Sequence, residues 1–267
     1  MKGRKKNKKR IWLIVCVIAL LGAAVCGGIL IGQKLKGQEL ESLYESVSET
    51  TPTVSTSAAI PALESTEEST DAPYVSPIDF DALHETSEDI YAWIEIPGTN
   101  INYPIVQDPD DNTFYLRRSP DGEDFTGGSI FTENYNSTDF TDPNTIIYGH
   151  CMRDGTMFAE LHNFADADFI SQYHEVIIYT PNQELHYDVF AAYPYSDQHL
   201  LFLYDFTDKK VFQSYLEGIF DVRDMHSQLR PEVALDADSK IITLSTCMQN
   251  DNTRRFLVQA VLTEQKS

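Results

Sequence analysis

A thiol, an imidazole and a pair of guanidinium groups are the side chains of this sequence best placed to do chemistry together. Cys247 closes the run Ile241-Ile242-Thr243-Leu244-Ser245-Thr246-Cys247. Read as a strand, the run alternates, with Ile242 and Leu244 facing one way and Thr243, Ser245 and Cys247 the other. The thiol therefore sits at a strand end, on the polar side, with a hydroxyl two residues back. A buried structural cysteine is the plainer alternative, but the apolar face belongs to the other parity. A nucleophilic thiol needs a base or counter-cation to hold it as thiolate. His150 ends the run Thr145-Ile146-Ile147-Tyr148-Gly149-His150, a second strand that finishes in a glycine and then a functional group. His84, His162, His174, His186, His199 and His226 occupy no such strand exit and read as surface or core residues.

Arg254 and Arg255 open an apolar strand shortly after Cys247 and offer a cation for a developing oxyanion. Solvated strand-flanking charges are the bland reading of the pair. Parity separates the two, because successive strand side chains point to opposite faces. Arg254 goes with Phe256, Val258 and Ala260, an apolar set, whereas Arg255 goes with Leu257, Gln259 and Val261. Arg255 is therefore the one expected to share a groove with Cys247. Cys151 reads as a bystander, and a Cys151–Cys247 disulfide is the structural alternative. No spacing of metal ligands is evident, and no cofactor is called for.

The elements that must position these groups are short. Strand-like runs span residues 91–96, 101–107, 145–148, 176–180, 185–192, 240–246 and 256–263, most of them β-branched or aromatic and bounded by Pro, Gly, Asn or Asp. Residues 78–84 and 156–163 read as short helices. In residues 208–222, Val211, Phe212, Tyr215, Leu216, Ile219 and Phe220 follow helical spacing. Many short strands with few helices argue for a mostly-β barrel or sandwich.

Ahead of this domain the sequence changes character. The 21 residues from Ile11 to Ile31 carry no charge, long enough to cross a bilayer as a helix. Seven Lys and Arg residues precede them without an acid, which predicts a cytoplasmic tail over residues 1–10 and an exported remainder. A cleaved signal peptide is the alternative, though its apolar region is usually shorter. Residues 32–75 are expected to form a flexible Ser/Thr/Glu-rich stalk, leaving residues 76–267 as the folded domain. The net charge of −21 hides a split, since residues 37–267 hold 11 basic against 41 acidic side chains. A surface of that sign makes nucleic acid an improbable partner.

The sequences TLSTC at Thr243–Cys247 and YGH at Tyr148–His150, with an arginine eight residues past the cysteine, resemble the sortase signature. The stretches WIEIPGTNINYP (93–104), NTFYL (112–116) and GSIF (128–131) are similar to the class B branch of that family. The resemblance runs over residues 77–263. It implies a closed eight-stranded β-barrel with an N-terminal helix and a long helix before the cysteine strand, behind a single transmembrane anchor. It also implies a reaction: Cys247 attacks the sorting signal of a secreted protein, and an amine of a peptidoglycan precursor or a pilin lysine resolves the thioacyl-enzyme. His150 then carries the protons, Arg255 holds substrate and oxyanion, and Asn112, Leu116 and Ser245 line the peptide groove. Two departures stand out: Met248 follows the cysteine where some members place an acid, and residues 197–206 hold Leu201 and Phe202 where a tyrosine is expected.

Two other readings compete. A papain-like cell-wall cysteine hydrolase usually places Cys before His and starts a helix with the Cys, the reverse of the order here. A membrane-tethered, non-catalytic β-barrel binding module would carry the thiol incidentally.

Overall fold

The computed structural model describes residues 74–249 and 251–267. The expected basic tail, membrane span and nearly all of the stalk lie outside the described residues. Among those residues, no helix is long and apolar enough to cross a membrane.

The short alternating runs form strands β1 (Ile90–Glu95), β2 (Asn102–Val106), β3 (Ile130–Thr132), β4 (Asn144–Tyr148), β5 (Glu175–Tyr179), β6 (Glu184–Ser196), β7 (Gln228–Leu229), β8 (Ile241–Met248) and β9 (Asp251–Lys266). Their order is β5-β1-β2-β3-β4-β8-β9-β6, and β5 pairs with β6 to close the ring. Eight strands thus make a closed barrel, with two-residue β7 added to the outside edge of β6. Closure removes the free edges on which chains aggregate. Two of the pairings are parallel, β2–β3 and β4–β8, and the rest are antiparallel. The β1–β2 hairpin turns through Gly98 at φ 84°, where an added Cβ would lie 2.2 Å from the Tyr173 ring. Only glycine fits that turn without moving the ring.

Among the described residues four short helices decorate the barrel: α1 (Phe80–His84), α2 (Ala167–Gln172), α3 (Leu200–Leu203) and α4 (Lys209–Ile219). Residues 156–163, expected as helix, overlap a 3₁₀ helix over Ala159–Ala165. Helix α4 is the longest, capped by the Asp208 carboxylate, which accepts from Lys210 N at 2.8 Å. It lays Phe212, Tyr215, Leu216 and Ile219 onto Ile146, Tyr193, Ile241, Leu257 and Val261. A helix cannot sit inside a barrel of eight strands, so this set marks the outer face of β4, β6, β8 and β9. The opposite parity, Ile242, Leu244, Phe256, Val258 and Ala260, fills the interior at 0–1 % exposure.

The polar parity of β8 is not a solvent-facing side: Thr243 is wholly buried and Ser245 is 6 % exposed. Helix α4 covers the face that polarity alone would leave open.

Candidate active site

The barrel brings the sequence-selected groups into one cleft. Asn112, Leu116, His150, Ser245, Cys247 and Arg255 all line a single groove of about 230 Å³. Tyr148, Tyr195, Glu133, His199 and Leu200 complete much of its wall.

Strand register accounts for the arrangement. In the antiparallel β8–β9 pair, Cys247 lies directly opposite Arg255, Ser245 opposite Leu257, and Thr243 opposite Gln259. Directly opposed residues share a face, so the guanidinium and the thiol leave the sheet on the same side. A bulge follows Cys247, where Met248 pairs with Asp251. Arg254, of the other parity, reaches Asp224 at 3.4 Å in a half-exposed ion pair and does not line the groove.

His150 is delivered by the neighbouring strand. In the parallel β4–β8 pair Tyr148 stands beside Ser245, and Gly149 N donates to the Ser245 carbonyl at 3.1 Å. The histidine therefore exits two residues on, level with Cys247. Gly149 is a steric requirement, because an added Cβ would fall 2.5 Å from Ile130 Cδ1 and 2.7 Å from the Phe158 ring. The imidazole is held by its Nε2, 2.7 Å from the Leu116 carbonyl. A carbonyl only accepts, so Nε2 carries the proton in that contact.

Cys151 is different in kind. Neither it nor Cys247 is in a disulfide. Burial pushes the Cys151 thiol above its ordinary pKa, and the neighbouring Cys247 adds to the rise. Its sulfur is 3.9 Å from His162 Nδ1, and burial lowers the pKa of that ring. An imidazole kept neutral supplies no cation to hold a thiolate.

Of the two positions where a tyrosine is expected, Phe202 is 69 % exposed; a different tyrosine, Tyr195 on β6 opposite Arg255, lines the groove. Glu133, Tyr195 and His199 were not singled out as groove residues by sequence. Among the described residues no cluster of His, Cys, Asp and Glu could hold a metal.

Comparison with known proteins agrees with this geometry. The sortase domain model matches residues 94–263. Sortase B of Listeria monocytogenes is 33 % identical over 165 residues, which span 62 % of this chain and 65 % of that relative, just under two thirds of its length. The sortase B structure from Bacillus anthracis in complex with AAEK1 superposes with a TM-score of 0.68 at 27 % identity, covering 87 % of this chain and 98 % of that one. A Staphylococcus aureus sortase B–substrate complex gives 0.62 at 28 %, covering 69 % and 84 %. With a superposable fold and a family match over most of the described residues, the chain belongs to the sortase family and is similar to its class B members.

Proposed function

We propose that this chain is a sortase-type cysteine transpeptidase that uses Cys247 as nucleophile, His150 as proton carrier and Arg255 as oxyanion and substrate holder. The observation that carries the assignment is the register that sets Cys247 opposite Arg255, with His150 leaving the adjacent strand at the same level. The Cys247 thiolate attacks the carbonyl carbon of a scissile peptide bond. The negative charge that develops on the carbonyl oxygen is met by the Arg255 guanidinium, an interaction stronger in the transition state than in the ground state. The C–N bond breaks, His150 gives its proton to the leaving amine, and a thioester remains on Cys247. An incoming amine attacks the thioester, His150 takes back a proton, and the new amide leaves a free thiolate. With Nε2 pinned to the Leu116 carbonyl, Nδ1 is the nitrogen that gains and loses the proton.

In this reading Asn112, Leu116 and Ser245 contact the sorting signal of a secreted protein, and the acceptor is an amine of a peptidoglycan precursor or a pilin lysine. The substrate-bound S. aureus relative supports the first half. The uncharged Ile11–Ile31 run and the basic residues before it support a single-pass anchor with the N-terminus cytoplasmic and residues 76–267 outside the cell, joined by the 32–75 stalk.

The test uses the full-length protein, a library of fluorogenic peptides and triglycine as the amine. Acid-quenched mass spectrometry should find one acyl adduct, on Cys247, that triglycine discharges as a new peptide product. Persistent cleavage by Cys247→Ala, or an adduct on Cys151, sinks the assignment.

A further inference from the structure

We propose that Glu133 and His199 form a clasp that positions one wall of the groove, residues 197–203, and so sets peptide affinity rather than the chemical step; this rests on the transpeptidase reading above.

Glu133 follows β3, and its side chain is 15 % exposed; that of His199 is 24 % exposed. The Glu133 Oε2 atom accepts from His199 Nε2 at 2.6 Å and from the Tyr148 hydroxyl at 3.1 Å. A carboxylate can only accept, so His199 presents its proton at Nε2. Burial, and then the charge of Glu133, push the Tyr148 phenol far above its ordinary pKa, so it remains a donor. One carboxylate therefore ties together two parts of the groove. One is Tyr148, which stacks on Phe131 at 5.4 Å and stands beside Ser245 in the strand register. The other is the chain segment that carries His199.

Apart from the clasp, that segment is held by apolar contacts alone and by its own short turn of helix. Helix α3 is four residues long, and helices so short are not self-sustaining. Of its residues only Leu200 is buried, whereas Phe202 and Leu203 are 69 % and 47 % exposed. His199 stands at its N-cap without a side-chain capping bond. Its ring stacks on Phe202 at 4.1 Å and meets the Tyr135 ring edge-on at 6.0 Å. The wall is thus held by apolar contacts, Leu200 buried and Leu201 half-buried against the core and Phe202 edge-on to Tyr135 at 5.3 Å, and by one polar anchor, the clasp. Asp197, Gln198, His199 and Leu200 all face the groove. Cys247, His150 and Arg255 come from β4, β8 and β9, whose pairing does not depend on the wall. Loosening it should disturb where the peptide lies and leave the reacting groups in place.

Hydrogen exchange on the full-length protein tests the clasp without any substrate. Glu133→Ala and His199→Ala should each speed exchange of the amides of Phe202, Leu203 and Tyr204 by about tenfold or more, the loss of one or two buried hydrogen bonds. Peptides from β8 and β9 should be unchanged. His199→Gln, whose amide can donate to the same oxygen, should restore most of the protection. With the library peptide that the wild-type protein cleaves fastest, the alanine variants should raise KM by about tenfold with kcat nearly unchanged. The double variant should cost no more than either single change. Unchanged exchange in His199→Ala, or a fall in kcat at constant KM, overturns the clasp. If Glu133→Ala does not fold, the two His199 variants decide the matter.

Discussion

On the outer side of β8 and β9, Thr243 faces Gln259, and four residues along the same strand Cys247 faces Arg255. Both are polar cross-strand pairs of the same parity, yet their surroundings differ completely. Helix α4 lies over the first. Gln259, fully buried, accepts from the Tyr193 hydroxyl at 2.9 Å and donates to Tyr215 at 2.7 Å and to Thr243 at 2.8 Å; Thr243 in turn donates to Asn144 at 2.8 Å. Burial pushes the Tyr215 and Tyr193 phenols well above their ordinary pKa, so the network stays in one protonation state near neutral pH. The second pair lies in the open groove, with Cys247 and Arg255 half-buried. Alternation puts polar groups on a face, and the helix laid across that face decides which of them are closed into structure and which are left to meet a substrate.

The comparison can be broken most directly at the open pair. Cys247→Ala should abolish the acyl adduct and all turnover while leaving the urea midpoint unmoved; residual adduct would place the nucleophile elsewhere. Arg255→Ala should lower kcat by about 10²–10³, as loss of an oxyanion donor does, while Arg254→Ala, which gives up only its ion pair with Asp224, should change it little. Equal losses from the two, with both variants folded, would contradict the register. At the closed pair the effect should move from turnover to stability. Gln259→Ala takes one hydrogen-bond partner from each of three buried hydroxyls, of Thr243, Tyr193 and Tyr215, and should cost about 2–4 kcal/mol in urea unfolding, and a cost as small as that of an exposed residue would mean that the network is dispensable.

The smallest effect is expected at Cys151. Cys151→Ala should keep activity within about twofold, because this half-buried side chain, though next to His150 in the chain, does not line the groove. Because its pKa is raised, Cys151 stays protonated at neutral pH, and its alkylation by iodoacetamide should accelerate only as the pH climbs towards that raised value. Rapid labelling of Cys151 at pH 7 would show that the environment of the thiol has been misjudged.

Much of the barrel was legible because its strands alternate and end in turn residues. Seven expected strand runs coincide with β1, β2, β4, β5, β6, β8 and β9, although β6 and β9 extend well past their apolar segments. Their far ends are polar, as at Ser196 paired with Arg254, and there the ladder rather than hydropathy carries the strand on. β3 escaped because three residues are too few to show a period. Helix α2 left a signal that was passed over: Asp166 accepts from Asp168 N and Phe169 N, an N-cap readable from the sequence. Arg255 was separable from Arg254 because parity is a local property. Glu133 and His199 were not recognisable, because their partnership spans 66 residues and no local pattern records it.

The parallel pairing of β4 with β8 also has a consequence for how the molecule comes into being. Tyr148 meets Ser245 only after a chain segment on the order of a hundred residues has been closed. Contacts so distant in sequence form slowly, on a scale of about milliseconds to seconds in β-rich domains. Cys247 and Arg255 can find each other early, through the tight β8–β9 hairpin, but His150 reaches them only when this long closure is made. The sequence separations therefore predict a folding chain that brings its cysteine and arginine together before it gains the proton carrier, so that reactivity waits on this long closure.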